Sequence, residues 1–256
     1  MFRYLVMDYQ DLNSKIIDKW NENDWECGRP ITHEQYINAL KGVYELYVTP
    51  TRKIPHSWIG NIKNKKVLAL AAGGAQQCPV LVALGAKVTL LDYSDSQLEK
   101  DKEFEKKEGY KINIIKADMS KRLPFNDNEF DMIINPVSNQ YIEDVYSLFK
   151  ECNRVLKKDG VLICGLDNGL NYVFEDDKEA VAKFKLPFNP LKDEATYNFC
   201  LYSDIGIQFS HTIEDQIGGQ LKAGFILKDL YDDFNGYGNL NDLKVPTFVA
   251  TLAIKN

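Results

Sequence analysis

Residues 65–92 read KKVLALAAGGAQQCPVLVALGAKVTLLD and decide the fold. KKVLALAA (65–72) is a near-continuous apolar run, the pattern of a strand covered on both faces. Gly73 and Gly74 end it, and PVLVALG (79–85) follows as a helix. AKVTLLD (86–92) is a second buried strand. A strand, a glycine turn, a helix and a second strand form a βαβ unit, with parallel strands and a right-handed crossover.

The alternation continues downstream. SDSQLEKDKEFEKKEG (94–109) is expected as a helix, INIIKAD (112–118) as a third strand and FDMIINP (130–136) as a fourth. VYSLFKECNRVLKKDG (145–160) reads as a helix and VLICGLD (161–167) as a fifth strand. Strands separated by helices specify an α/β fold. From about 168 to 206 the chain is loop-rich, with Pro187 and Pro190. IQFSHT (207–212) is a short-strand candidate, IEDQIGGQLKAG (213–224) a helix, and FILKDLYDD (225–233) and TFVATLAIK (247–255) closing strands.

Upstream, residues 1–64 read as a helical cap on a ligand-binding domain spanning 65–256. Leu12, Ile16, Ile17 and Trp20 recur at helical spacing. Thr32 and Gln35 have capping-box spacing ahead of an apolar stripe through Tyr36, Ile37, Leu40, Tyr44 and Leu46. Pro50 and Pro55 break that pattern. The charged runs LEKDKEFEKKEG (98–109) and EDDKEAV (175–181) are solvated helix faces.

Composition narrows the function. The chain has 256 residues, 45% hydrophobic and 27% charged, with a net charge of -6. Nucleic acid is not an expected partner, because phosphate binding needs a basic surface. No apolar run is long enough to cross a bilayer, and the N-terminal stretch lacks a signal-peptide pattern, so no membrane association and a cytoplasmic location are expected. Cys27, Cys78, Cys152, Cys164 and Cys200 are scattered and include no CxxC pair, so neither a metal site nor a disulfide framework is expected.

In an open parallel sheet, ligands bind beyond the carboxyl ends of the strands. After the first strand come Ala71, Ala72, Gly73, Gly74, Ala75, Gln76 and Gln77, whose small side chains allow close backbone approach. After the second come Asp92, Tyr93 and Ser94. Asp92 has the spacing from the glycine loop expected of an acid that accepts ribose hydroxyl protons. After the third come Asp118 and Met119, suited to an adenine amino group and ring. After the fourth come Asn135, Pro136 and Val137. Asn139 and Tyr141 are candidates to line a substrate pocket, with Trp25 and Tyr36 as candidate lid residues. His211 is the candidate catalytic base; a structural hydrogen bond is its alternative role.

The succession VLALAAGGAQQ, TLLDYS, KADM, LPFNDNEFDMIIN, ECNRVLKKDGVLI and LKAGF resembles the class I methyltransferases that use S-adenosylmethionine (SAM). It is most similar to the small-molecule group related to quinone-biosynthesis enzymes. Within that group it looks like a bacterial subfamily carrying WECGRPITHEQY, LYVTPTRKIPHSWIG, NPVSNQY and FSHTIEDQIGGQLKAGF. The resemblance implies a Rossmann-like, seven-stranded, mostly parallel sheet with helices on both faces and one antiparallel edge strand. It also implies SAM as cofactor and S-adenosylhomocysteine (SAH) as product. The cofactor set is then Ala71, Ala72, Gly73, Gly74, Gln76, Gln77, Asp92, Tyr93, Ser94, Gln97, Asp118, Met119, Asn135, Pro136 and Val137. The family loop begins with an acidic residue and a glycine and ends with a glycine. Here those positions are Ala69, Ala71 and Ala75, and Gln76 and Gln77 are candidates to replace the lost contacts to the methionine amino group.

The expected function is methyl transfer from SAM to a small-molecule acceptor. Two alternatives share much of this pattern: an NAD-dependent oxidoreductase, and a SAM-binding sensor without turnover. Asn135-Pro136-Val137-Ser138 lacks the second proline and the aromatic of nucleic-acid amino-methylating enzymes.

Overall fold

The computed structural model describes residues 8–174 and 181–256. The first seven residues, and most of the acidic run EDDKEAV, lie outside the described residues. The strands are β1 (Lys66–Leu70), β2 (Lys87–Asp92), β3 (Asn113–Lys116), β4 (Phe130–Asn135), β5 (Leu156–Asp167), β6 (Phe225–Asp233) and β7 (Phe248–Lys255). They form one sheet in the order β3-β2-β1-β4-β5-β7-β6. All neighbours from β3 to β5 are parallel, and β7 runs antiparallel to both β5 and β6. The antiparallel strand is therefore β7, second from the edge, and the edge itself is β6.

The helices are α1 (Tyr9–Glu22), α2 (His33–Leu40), α3 (His56–Ile59), α4 (Gln77–Ala83), α5 (Asp95–Glu108), α6 (Val145–Val155), α7 (Glu194–Tyr202), α8 (Gly219–Lys222) and α9 (Gly238–Asp242). Strand period explains the two-sided core. Val67 and Ala69 join a cluster with α4 and the N-terminal segment, including Leu46, Val48, Trp58 and Ile62. Leu68 and Leu70 face the other way, into a cluster with Leu148, Phe149, Cys152 and Val155 of α6. These four of the five β1 side chains are fully buried, which is why Val67–Leu70 reads as an unbroken apolar run.

Local chemistry sets the helix ends. Ser94 caps α5 by accepting from the Gln97 N–H, and Gly109 closes it in the left-handed conformation. Thr32 and Gln35 make the expected capping box on α2. That helix stops at Leu40, so Tyr44 and Leu46 lie beyond it.

Two further expectations are corrected. α6 ends at Val155 rather than continuing to residue 160, because buried Leu156 pairs with Phe130 and enters β5; an irregularity then brings Val161 opposite Met132. IQFSHT is not a strand: the Phe209 N–H donates to the carbonyl of Gln140, in a 3₁₀ turn (Asn139–Tyr141), and the Ser210 N–H to that of Phe188, in a loop. The helix expected at 213–224 is present, with a π-helical turn at Glu214–Gly218 leading into α8, where Gly219 lies tight against Phe149. The loop-rich stretch also holds α7, capped by Asp193 accepting from the Thr196 N–H.

Candidate active site

The strand order reverses between β1 and β4, the topological switch point where a ligand crevice forms. At its heart is Asp92, the last residue of β2. Its Oδ2 accepts the Gly73 N–H at 2.9 Å, and its Oδ1 accepts the Tyr93 and Ser94 N–H groups at 2.7 and 3.0 Å. Burial pushes this carboxyl above its usual range, against the opposing pull of those N–H groups. A carboxylate offers about four acceptor positions. Three are filled by backbone, leaving capacity on Oδ2 for one hydroxyl rather than two.

The glycine loop is held from the side of α5. Oδ2 of Asp101 accepts the N–H groups of Gly74 and Ala75 at 2.8 and 2.9 Å. Three successive loop N–H groups thus point at two carboxylates. Asp101 is completely buried, and burial raises its pKa to about 7. Its glycine-loop contact was not foreseen, because it sits in a charged run that reads as a solvated face. The arrangement bears directly on the cofactor. A dinucleotide pyrophosphate requires free N–H groups at this loop. Here they are occupied by the chain's own acids, which favour a cationic ligand over an anionic one.

On the far side of β2, Asp118 and Met119 line the same crevice together with Ala71, Asp92, Tyr93, Ser94 and Tyr141. Asp118 accepts from the Ser120 N–H and hydroxyl at 2.7 and 2.8 Å, one bond per oxygen, which leaves acceptor capacity on each. Tyr141 is kept protonated by burial.

The roof comes from α1, whose Gln10, Asn13, Ser14 and Ile17 face the crevice at i, i+3, i+4, i+7 spacing. Asn13 pairs both ways with the Ile207 backbone: its Nδ2 donates to the carbonyl at 2.9 Å and its Oδ1 accepts the N–H at 2.7 Å. Ser14 donates to the Tyr93 carbonyl, and Asp18 accepts from Ser94 and Ser96. Asn21 donates to the Oε1 of Gln97, whose side chain packs on Gly73 and Gly74. The helix thus bridges the β2–α5 loop and residues 204–207. Its polar stripe was legible as spacing, but nothing local distinguishes it from a solvated face.

The remaining candidates have other partners. Gln76 donates to the carbonyls of Cys27 and Arg29, and Gln77 to that of Tyr47. The two glutamines pin the N-terminal segment to the loop, Gln76 through both of its amide hydrogens and Gln77 through one of its two. The same segment crosses the carboxyl ends of β4 and β5: the Val137 N–H donates to the Val48 carbonyl, and a Cβ on Gly165 would fall 1.8 Å from that oxygen. Pro136 precedes this contact, half-buried. Asn135 is interior, donating to the Leu70 carbonyl and Ser138 Oγ, both at 2.8 Å, and accepting from Cys164. Ala72 belongs to the core. Tyr36 is also core, packed on Phe104 and Tyr110, and Trp25 packs on Trp20 outside the crevice lining.

Asn139 and His211 belong to a buried latch. Asn139 donates to Gln216 at 2.7 Å, and Gln216 donates to the carbonyls of Asp167 and His211. His211 Nε2 meets the Asn139 carbonyl at 3.0 Å, and burial pushes its imidazole pKa down. Neither residue is among those lining the crevice.

The fold and this crevice match known proteins. A model of the methyltransferase domain family matches residues 68–164. YbaJ of Bacillus subtilis (strain 168), an uncharacterized methyltransferase, is 37% identical over 249 residues, covering 95% of this chain and 97% of that protein. The demethylmenaquinone methyltransferase of Staphylococcus saprophyticus is 31% identical over 121 residues, covering 43% of this chain and 51% of that one. A SAM-dependent methyltransferase structure from Mesorhizobium loti shares the fold, with a TM-score of 0.60 at 15% identity, covering 78% of this chain and 95% of that one. The chain belongs to the class I SAM-dependent methyltransferases, and SAM is its cofactor. The crevice suits that molecule: free acceptor capacity at Asp92 and Asp118 fits hydroxyl and amino donors, and the carboxylates behind the loop fit a sulfonium and an ammonium.

Proposed function

We propose that this enzyme methylates a small-molecule acceptor and releases SAH. The observation that carries the reading is the roof. α1 covers the crevice with Gln10, Asn13, Ser14 and Ile17, and an acceptor that reacts beneath it has to be small enough to fit there with the cofactor. The acidic net charge of -6 fits a neutral or cationic acceptor better than a nucleic acid. The similarity over part of the chain to a demethylmenaquinone methyltransferase supports the same class of acceptor.

When bound, SAM supplies an electrophilic methyl group on a sulfonium. The residues of the chain bind, orient and exclude water. In this reading Asp92 accepts from a ribose hydroxyl, and Asp118 accepts from the adenine amino group beside Met119. Ile17 and Tyr141 shield the crevice. Positioning of this kind supplies a large share of the acceleration of a displacement reaction, so an acceptor that is already nucleophilic needs no protein base.

The test is to incubate the protein with SAM and panels of small acceptors, demethylated quinones among them, and to follow SAH release and the gain of one methyl group by mass. A methylated small product supports the reading. Methylation confined to RNA or protein contradicts it.

A further inference from the structure

We propose that Asp101 is the positioning residue of the cofactor loop, a carboxylate from α5 that stands in for the acidic side chain which position 69 lacks. The proposal rests on SAM binding at this crevice. At the head of the loop, Ala69 is fully buried in an apolar cluster and brings no charge. The loop nevertheless has to hold a demanding shape. Ala71 and Ala75 sit at φ 49° and 55°, the left-handed region that disfavours any side chain, and Gly74 lies at 108°. Two hydrogen bonds to one Asp101 oxygen secure the Gly74 and Ala75 end of that turn. Its other oxygen, Oδ1, is buried and has no hydrogen-bond partner. Packing requirements alone would be met there by an apolar residue; a buried carboxylate facing two N–H groups is suited to fixing their direction.

The anchor is sensitive to protons. Around Asp101 stand Asp92 at the end of β2, the Cys78 thiol on α4, Tyr110 after α5 with Tyr36 of α2 beyond it, and Glu105 on its own helix. None of the described ion pairs includes Asp101. Burial therefore dominates, and the carboxyl takes up a proton at about 7. Protonation replaces two charge-assisted bonds by neutral ones and loosens the loop. SAM affinity should fall as pH drops through neutrality.

The experiment is calorimetric titration of SAH into the wild type and Asp101→Asn between pH 5.5 and 8.5. For the wild type, the expected result is about tenfold weaker binding at the acid end, the scale separating charge-assisted from neutral hydrogen bonds. Asp101→Asn should bind at the wild type's acid-end affinity throughout, with a flat profile. If that variant does not fold, Cys78→Ser supplies the second arm. A hydroxyl beside Asp101 favours the ionised form, so the wild-type midpoint should move to lower pH. An Asp101→Asn variant that keeps both the affinity and the pH profile of the wild type overturns the proposal alone, as does an unmoved midpoint in Cys78→Ser. A wild type that binds no SAH at any pH overturns the cofactor assignment as well.

Discussion

Gly73 and Asp92 meet across the crevice, with the Gly73 N–H donating to Asp92 Oδ2 at 2.9 Å and no space left for a side chain. A Cβ on Gly73 would stand 3.0 Å from that oxygen and 2.7 Å from the Gln97 Cβ. The backbone there is not in the left-handed region, so the requirement for glycine is one of space. Gly73→Ala should cost about 1–3 kcal/mol of stability, the usual penalty of overpacking. It should also weaken SAM by tenfold or more, because the added methyl displaces the Asp92 carboxylate proposed to hold the ribose. Thermal denaturation and SAH titration read the two effects separately.

Stability should depend on pH in an unusual direction. Asp101 and Asp167 are raised by burial to about 7 and about 6, and Asp92 is raised as well. These groups hold protons more tightly when folded, so their contribution is fully present below about pH 4 and is lost as pH climbs through the folded values. Glu151, held low by Arg154, behaves oppositely and loses its contribution in acid. His211, pushed down by burial, also favours higher pH, and between pH 5 and 8 it opposes Asp101 and Asp167. The Tm without ligand should therefore be higher at pH 5 than at pH 8, by about 5 °C for a chain of this size. Replacing Asp101 and Asp167 together by Asn should flatten the curve. A Tm that rises steadily from pH 5 to pH 8 would show that these carboxyls are not raised.

Much of the fold was legible because β1 carries an unbroken apolar run, β2 and β4 are mostly apolar, and α5 and α6 have side-chain caps at Ser94 and Asp144. Asp92, Asp118 and Met119 could be placed on the crevice because a strand's carboxyl end is a fixed place in such a sheet. What escaped was set by distant contacts. Asp101 sits in a run of charges, and only the tertiary placement of α5 turns it toward the loop. Gln76 and Gln77 stand beside the glycines in sequence, yet the N-terminal segment claims donors from both. α7 was missed because EATYNFCLY lacks a strong apolar periodicity, although Asp193 provides a cap. The expected strand at 207–212 makes its backbone hydrogen bonds to Gln140 and Phe188, outside the sheet.

Asn13 tests the roof. Replacing it by alanine leaves the Ile207 N–H and carbonyl without their partners and loosens α1 from that segment, which Lys19 and Trp20 still hold at Asp204. The expected loss is about 1–3 kcal/mol, with SAH dissociating several-fold faster in stopped-flow. Unchanged dissociation would mean that α1 does not gate the crevice.

His211 separates support from chemistry. His211→Ala should lower stability by about 1–3 kcal/mol through loss of the latch at Asn139. Activity per folded molecule should fall less than about tenfold. A drop of ~10²–10⁴, the range for removing a general base, would instead place the imidazole in the reaction.

The central claim is that the carboxyl-end crevice around Asp92 binds SAM. Calorimetric titration of SAM and SAH, with NAD as control, tests it most directly. The account predicts saturable binding of the first two, none of NAD, and a roughly 10–100-fold loss in Asp92→Ala, the range for a hydrogen bond to a charged group. Folded protein that ignores SAM and SAH, or an Asp92→Ala variant that binds them as well as the wild type, would contradict it.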